Sequence, residues 1–306
     1  MDELRSTNEL RLDAVPTLRR PIMIAAFKGW NDGGQGATTA LSHLVETWSA
    51  TRFAEIDPEA FLDFQAVRPT VVLEEGASRR IVWPENLFHH APIPGLDRDA
   101  VLLLGVEPSY RWRTFTDLVT GLAKQLGVEL VVTLGALLAD VPHTRPAPVT
   151  GAASDPALVE ELGLQLSRYE GPTGIVGVLH DGCQKADLRS VSLWAAVPHY
   201  VSLAPSPRAA RALCERLSDL LGTPIDVAEL AAEEESYAAQ VSAAVSSDAE
   251  TQSYVEELEQ RADTLDMLLE SEDLPTGESL AAELTRYLRE HERRRKDEPG
   301  STAPDA

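Results

Sequence analysis

The sequence predicts an α/β protein: a three-layer sandwich on a mostly parallel sheet, followed by an acidic α-helical appendage. Three observations lead there. Short apolar runs alternate with amphipathic stretches through the first 225 residues, the pattern of strands joined by crossover helices. Most of those runs are continuous rather than alternating, as strands covered on both faces require. After residue 225 the strand signal stops, and the remaining segment carries 22 acidic against 7 basic residues.

Residues 1–19 read as an N-terminal arm, and 20–225 as the α/β core domain. Ile22–Phe27 is the first expected strand. A helix over Gln35–Trp48 follows, with Leu41, Leu44, Val45 and Trp48 on one stripe. Thr70–Leu73, Ile81–Trp83 and Val101–Val106 are the next apolar runs, read as strands. Arg111–Leu126 repeats the helical stripe through Phe115, Leu118, Val119, Leu122 and Leu126. Leu130–Leu134, Ile175–Leu179 and Tyr200–Leu203 complete the expected strands. Pro156–Leu166 and Pro207–Leu221 each open with a proline in the first turn, where its missing N–H costs nothing. Residues 226–295 read as three acidic helices. Their stripes are Tyr237, Val241 and Val245, then Tyr254, Leu258, Leu265 and Leu269, then Leu280, Leu284, Tyr287 and Leu288. Charge, proline and glycine mark 296–306 as a disordered tail.

Composition excludes several classes of function. The 306 residues hold 27 basic and 49 acidic side chains, a net charge of −22. Phosphate backbones and anionic membranes both require clustered Lys and Arg, so no nucleic acid and no membrane partner is expected. There is no 18-residue apolar window, and the N-terminus lacks the apolar core of a signal peptide. The two cysteines, Cys183 and Cys214, read as reduced thiols of a cytoplasmic protein. His89 and His90 are adjacent, so their side chains diverge in an extended chain, and no metal-binding spacing occurs. Neither a metal nor a cofactor is expected.

Three segments could carry chemistry. Gly29–Thr39 leaves the first strand and opens the first helix. Asn31, Asp32, Gly33, Gly34 and Gly36 could present backbone amides to an anion, a small molecule or a peptide. Gly34-x-Gly36-x-x-Thr39 also resembles a dinucleotide fingerprint, with Glu55 and Asp57 about 20 residues on. The plainer reading is a tight glycine turn. Residues 135–151 leave a buried strand at its C-terminal end. They offer Asp140, His143, Thr144, Arg145 and Thr150 as acid–base, nucleophile or anion-clamp candidates, or as a polar crossover loop. Tyr169–Gly182 reads as a glycine-rich strand delivering His180 to the sheet edge. Trp194 and Tyr200 beyond it could wall a ligand site or pack in the core. No catalytic motif joins these residues.

Taken together, Ala26–Gly33, Leu134–Thr150 with its Asp-Val-Pro-His-Thr-Arg-Pro, Tyr169–His180 and Ser192–Tyr200 resemble the actinobacterial branch of the PAC-two family. That family is named after the second proteasome assembly chaperone of eukaryotes. The resemblance implies a phosphorylase/hydrolase-like sandwich and a homo-oligomer, with a trimer as the suggested state. It also implies a protein-binding assembly factor with proteasome subunits as partners, and with the missing catalytic motifs the expectation is no catalytic activity of its own. The alternative is a small-molecule-binding protein or enzyme, with a phosphorylase/hydrolase-like or ligase-like site at the C-terminal edge of the sheet.

Overall fold

The computed structural model describes residues 9–74, 78–153, 156–162, 164–166 and 169–270. Its strands are β1 (Leu10–Leu12), β2 (Ile22–Lys28), β3 (Thr51–Ile56), β4 (Thr70–Leu73), β5 (Arg79–Val82), β6 (Asn86–Pro92), β7 (Asp99–Val106), β8 (Leu130–Ala139), β9 (Val149–Ala153), β10 (Gln165–Leu166) and β11 (Ser190–Pro198). Its helices are α1 (Gly36–Thr47), α2 (Trp112–Gln125), α3 (Pro156–Leu162), α4 (Ile175–Lys185), α5 (Pro207–Leu221), α6 (Ala228–Ser246) and α7 (Ala249–Glu270).

Nine strands form one sheet in the order β1-β3-β6-β7-β2-β8-β11-β9-β10. Its centre, β7-β2-β8-β11, is parallel. Antiparallel strands flank that centre, β6 against β7 and β9 against β11. β4 and β5 form a separate antiparallel hairpin.

The continuous apolar run of β2 shows why the sheet lies between two helical layers. Ile22, Ile24 and Ala26 enter one core, while Met23, Ala25 and Phe27 enter the other. α1 and α5 cover the first core, through Leu41 and Leu44 and through Leu213 and Leu217. α2 and α4 cover the second, through Phe115, Val119, Ile175 and Leu179. Phe27 meets Phe115 edge-on, with ring centroids 5.8 Å apart. The three-layer α/β sandwich expected from sequence is the architecture observed.

Two expected strands are corrected. Ile175–Leu179 is the first half of helix α4. Its buried residues Ile175, Val176, Leu179 and Cys183 follow helical spacing once His180–Lys185 are included. A five-residue apolar run does not distinguish the two periods by itself. Tyr200–Leu203 is a loop, and the strand lies upstream as β11, which Pro198 ends. Strands β3, β6 and β9 arise where no apolar run was marked. Their burial is interrupted, because they lie towards the antiparallel flanks of the sheet. The expected helix over Pro156–Leu166 stops at Leu162, and the strand β10 follows it.

Packing divides the chain after Leu258 into two compact units, whereas the compositional change falls at residue 225. α6 and the first ten residues of α7 belong with the first unit. The third appendage helix and the 296–306 tail lie outside the described residues. Among the described residues, no helix is long and apolar enough to cross a membrane.

Candidate functional site

Parallel strands β7, β2, β8 and β11 end at one edge of the sheet, at Val106, Lys28, Ala139 and Pro198. In open α/β sheets this edge gathers the loops that face ligands. Two groups of sequence-predicted residues sit there.

The first group is the glycine loop after β2. Ala136 N–H donates to the Asn31 carbonyl at 2.9 Å, and Asp32 bridges Ala136, so the loop runs on beside β8. A side chain at Gly36 would meet Ala209 at 2.7 Å, so this glycine lets α1 lie close against α5. Gly34 has a φ of 55°, and its carbonyl accepts the Ser206 N–H at 2.7 Å. Gly33 lies against the backbone of Ala136 and Leu137. Asp32 supplies the anion at the start of α1. Its Oδ1 accepts from the N–H groups of Ala37 (2.9 Å) and Thr38 (3.2 Å), and its Oδ2 accepts from the Thr38 hydroxyl (2.5 Å). From before the N-cap residue Gln35, it satisfies two N–H groups of the first turn of α1 and sets a carboxylate at the positive end of the helix. Burial raises the Asp32 carboxyl above its ordinary value, against the pull of the Thr38 and Ala37 hydrogen bonds.

Asn31 is buried, and its Oδ1 has no hydrogen-bond partner among the described residues. That oxygen lies against the Cα of Gly174, where a Cβ would fall 1.9 Å away. Glu107, at the exit of β7, joins the group. Its Oε1 accepts the Ile175 N–H at 2.8 Å and its Oε2 the Trp30 N–H at 3.2 Å. One carboxylate thus fixes the start of α4 and the loop after β2.

The second group surrounds the exits of β8 and β11. His143 is buried. Its backbone N–H donates to the Tyr200 hydroxyl at 2.7 Å, and its Nδ1 lies 2.8 Å from the same oxygen. Its Nε2 lies 3.1 Å from Ser242 Oγ on α6. Asp140 Oδ1 is 3.1 Å from His199 Nδ1 and accepts from the Tyr254 hydroxyl at 3.3 Å. The rings of His143, His199, Tyr200 and Tyr254 pack edge-on, with centroids 5.6–6.1 Å apart. Tyr200 and Val201 also pack on Tyr237, Val241, Val245 and Val255. Glu234 of α6 receives both Arg208 (2.9 Å) and Arg211 (3.0 Å) from α5. The polar residues of this loop therefore seat α6 and the start of α7 on the sheet edge.

The remaining candidates separate. Arg145 Nη1 donates to Thr144 Oγ1 at 3.3 Å, and the Arg145 carbonyl accepts from the Arg208 guanidinium. Thr150 is paired with Trp194 across β9 and β11, and the Trp194 ring covers Gly135. His180 lies at the opposite edge, with its Nδ1 3.0 Å from Ser190, the first residue of β11. Reading α4 as a strand had reversed its position. Burial lowers the His180 pKa.

Sequence reasoning missed Glu107, His199, Ser242 and Tyr254 as members of these clusters. Glu107 had a usable signal, a carboxylate directly after a buried strand. Ser242 and Tyr254 had none, since only the tertiary fold carries them to residue 143.

The PAC2 family model matches residues 26–245. A PAC2 family protein from Streptomyces avermitilis is 48% identical, covering 77% of this chain and 99% of its own, with a TM-score of 0.71. A Mycobacterium tuberculosis protein described as a proteasome-assembly chaperone homologue is 46% identical, covering 76% and 99%, with a TM-score of 0.69. An archaeal proteasome activator from Pyrococcus furiosus shares the fold at 18% identity, covering 78% and 99%, with a TM-score of 0.62. Among curated proteins, none matches.

Proposed function

The chain belongs to the PAC2 family, and on that premise we propose that it is a protein-binding assembly factor whose partners are proteasome subunits. The observation that carries this reading is the 46% identity to the mycobacterial proteasome-assembly chaperone homologue. The site supports it physically. Asp140 and His143 hold one another's neighbours and two acidic helices, which is the work of a scaffold. Glu229, Glu233, Glu235 and Glu250 stand exposed on α6 and the start of α7. Such a surface attracts a basic partner and raises its association rate. The protein acts by binding, without chemistry of its own.

Native mass spectrometry of the protein isolated gently from its own cells tests this. Co-isolated proteasome α-subunits or half-assemblies are the expected result. A particle lacking them and carrying a stoichiometric small molecule would overturn it. That second outcome has one structural observation in its favour, the Asn31 Oδ1 beside Gly174 and Glu107, which has no partner among the described residues. In that case Asn31→Ala would lose the small molecule.

A further inference from the structure

Neighbouring strands β7 and β2 are followed by helices of opposite layers, α2 and α1. The chain leaves the two strands toward opposite faces, and in open α/β sheets that divergence opens a crevice at their C-terminal ends. Glu107 stands at the exit of β7, and Asn31 follows the exit of β2. Two buried amides at this edge lack a partner among the described residues, Asn31 at Oδ1 and Asn86 at Nδ2. Asn86 opens β6. The register sets it on the α2–α4 face with Phe88, over Gly105, whose Cβ would fall 1.9 Å from Asn86 Oδ1. Folded proteins leave few such groups unbonded, so a pair of them on one edge calls for an explanation.

Helix α4 begins at the same crevice. The N–H groups of a first helical turn have no partner within the helix. Glu107 takes that of Ile175, and among the described residues nothing accepts from Val176 or Gly177. Such a turn attracts an anion. Two acceptors lie beside it. Glu107 Oε1 and Asn31 Oδ1 stand 2.6 Å and 1.9 Å from the point that a Cβ on Gly174, the N-cap, would occupy. The two oxygens converge, and the Ile175 N–H serves only the first of them.

The two halves of the crevice define the ligand. A simple anion would meet the start of α4 but also the Glu107 carboxylate, which repels it. A simple cation would leave the Val176 and Gly177 amides bare. A group that carries both charges on neighbouring atoms meets both needs. We propose that this crevice binds a free α-amino acid, with its carboxylate on the Val176 and Gly177 N–H groups and its ammonium between Glu107 and Asn31 Oδ1. Gly174 covers Oδ1 in this conformation. Binding therefore lifts the turn 171–174, and the glycines at its two ends let it move. Trp30, 65% exposed, has its backbone N–H on Glu107 Oε2. An exposed indole next to that carboxylate suits the ammonium end of the ligand. This names the ligand class of the Asn31 site and does not rest on the proteasome reading, so either can fail alone.

The test adds each standard amino acid in turn, at millimolar concentration, to the full chain and follows its thermal midpoint. At least one is expected to raise the midpoint. Acetate and methylamine, which carry a single charge each, are expected to leave it unchanged. Calorimetric titration with the amino acid so found should show binding weaker by roughly tenfold or more in Asn31→Ala and in Glu107→Gln, as loss of a charge-assisted bond implies. The backbone amide resonances of Val176 and Gly177 in the wild type supply a measurement independent of both variants, and they should shift as the amino acid is added. A midpoint raised by none of the amino acids would overturn the proposal. So would an affinity unchanged in Asn31→Ala, equal stabilisation by acetate or methylamine alone, or binding that leaves the Val176 and Gly177 resonances where they were.

Discussion

Asp32 and Asp99 are both buried carboxylates at strand or helix ends, yet their surroundings push them in opposite directions. Asp99 accepts from the Arg19 N–H (2.6 Å) and guanidinium (2.8 Å), and those bonds hold its carboxyl below the ordinary 3.8. The stability this contributes is complete above the unfolded value and is lost as pH falls through the folded one. Asp32 lies above 3.8, chiefly because burial disfavours its charge. Its contribution runs the other way. It is complete below 3.8 and declines as pH rises through the folded value. Denaturation midpoints measured from neutral to acid pH should show Asp99→Asn losing part of the acid-side fall in stability, and Asp32→Asn the opposite change. Glu107 makes a sharper test. Its carboxylate bonds two backbone N–H groups, one in the loop after β2 and one at the start of α4, and a hydrogen bond to a charged group is worth about 1.5–3 kcal/mol. Glu107→Ala is expected to cost roughly 2–4 kcal/mol in urea unfolding, with Glu107→Gln intermediate. Of these residues, Asp32 was visible in the sequence as the acid beside a glycine turn. The partners that decide its role were not, because only the folded turn brings the Ala37 and Thr38 donors onto its carboxylate.

At the scale of elements, α6 is held by a mixed anchor. Val241 and Val245 pack against the loop after β11, His143 reaches Ser242, and the Tyr237 hydroxyl donates to the Leu203 carbonyl at 3.2 Å. Leu230, near the start of the same helix, is buried in the core shared by α1 and α5. The helix has little apolar contrast between its faces, so its stability comes from this seat rather than from its own sequence. Tyr200→Ala removes the hydroxyl that His143 meets and the ring beside Tyr254. It is expected to cost roughly 2–3 kcal/mol. Hydrogen exchange should then quicken in α6 while β2 and β8 keep their protection. Equal loss of protection throughout would show that α6 is not a separate unit of stability. The same anchor explains why charge substitution is a cleaner probe than deletion, since removing residues from 226 onward would uncover Tyr200, Val201 and the core around Leu230.

At the scale of the molecule, charge governs encounter. A chain at −22 with exposed glutamates on its helical edge is expected to bind a basic partner faster at low salt. Replacing Glu233 and Glu235 with Gln should lower the association rate severalfold, with little change in dissociation, as stopped-flow measurements would show. By itself the sequence determined the layers. Continuous runs such as Ile22–Phe27 and Val101–Val106 read as strands between two cores, and the stripes of α1 and α2 as their covers. It also determined the acidic helical segment, because composition needs no fold to be read. The tertiary structure decided the direction of His180, since a five-residue apolar run serves equally as strand or helix until packing selects a period. It decided the glycine loop as well, where Asp32 takes the amides that an outside anion would have used. And it decided what Asp140 and His143 do, because Ser242 and Tyr254 are remote in the chain and only folding sets them within hydrogen-bond reach.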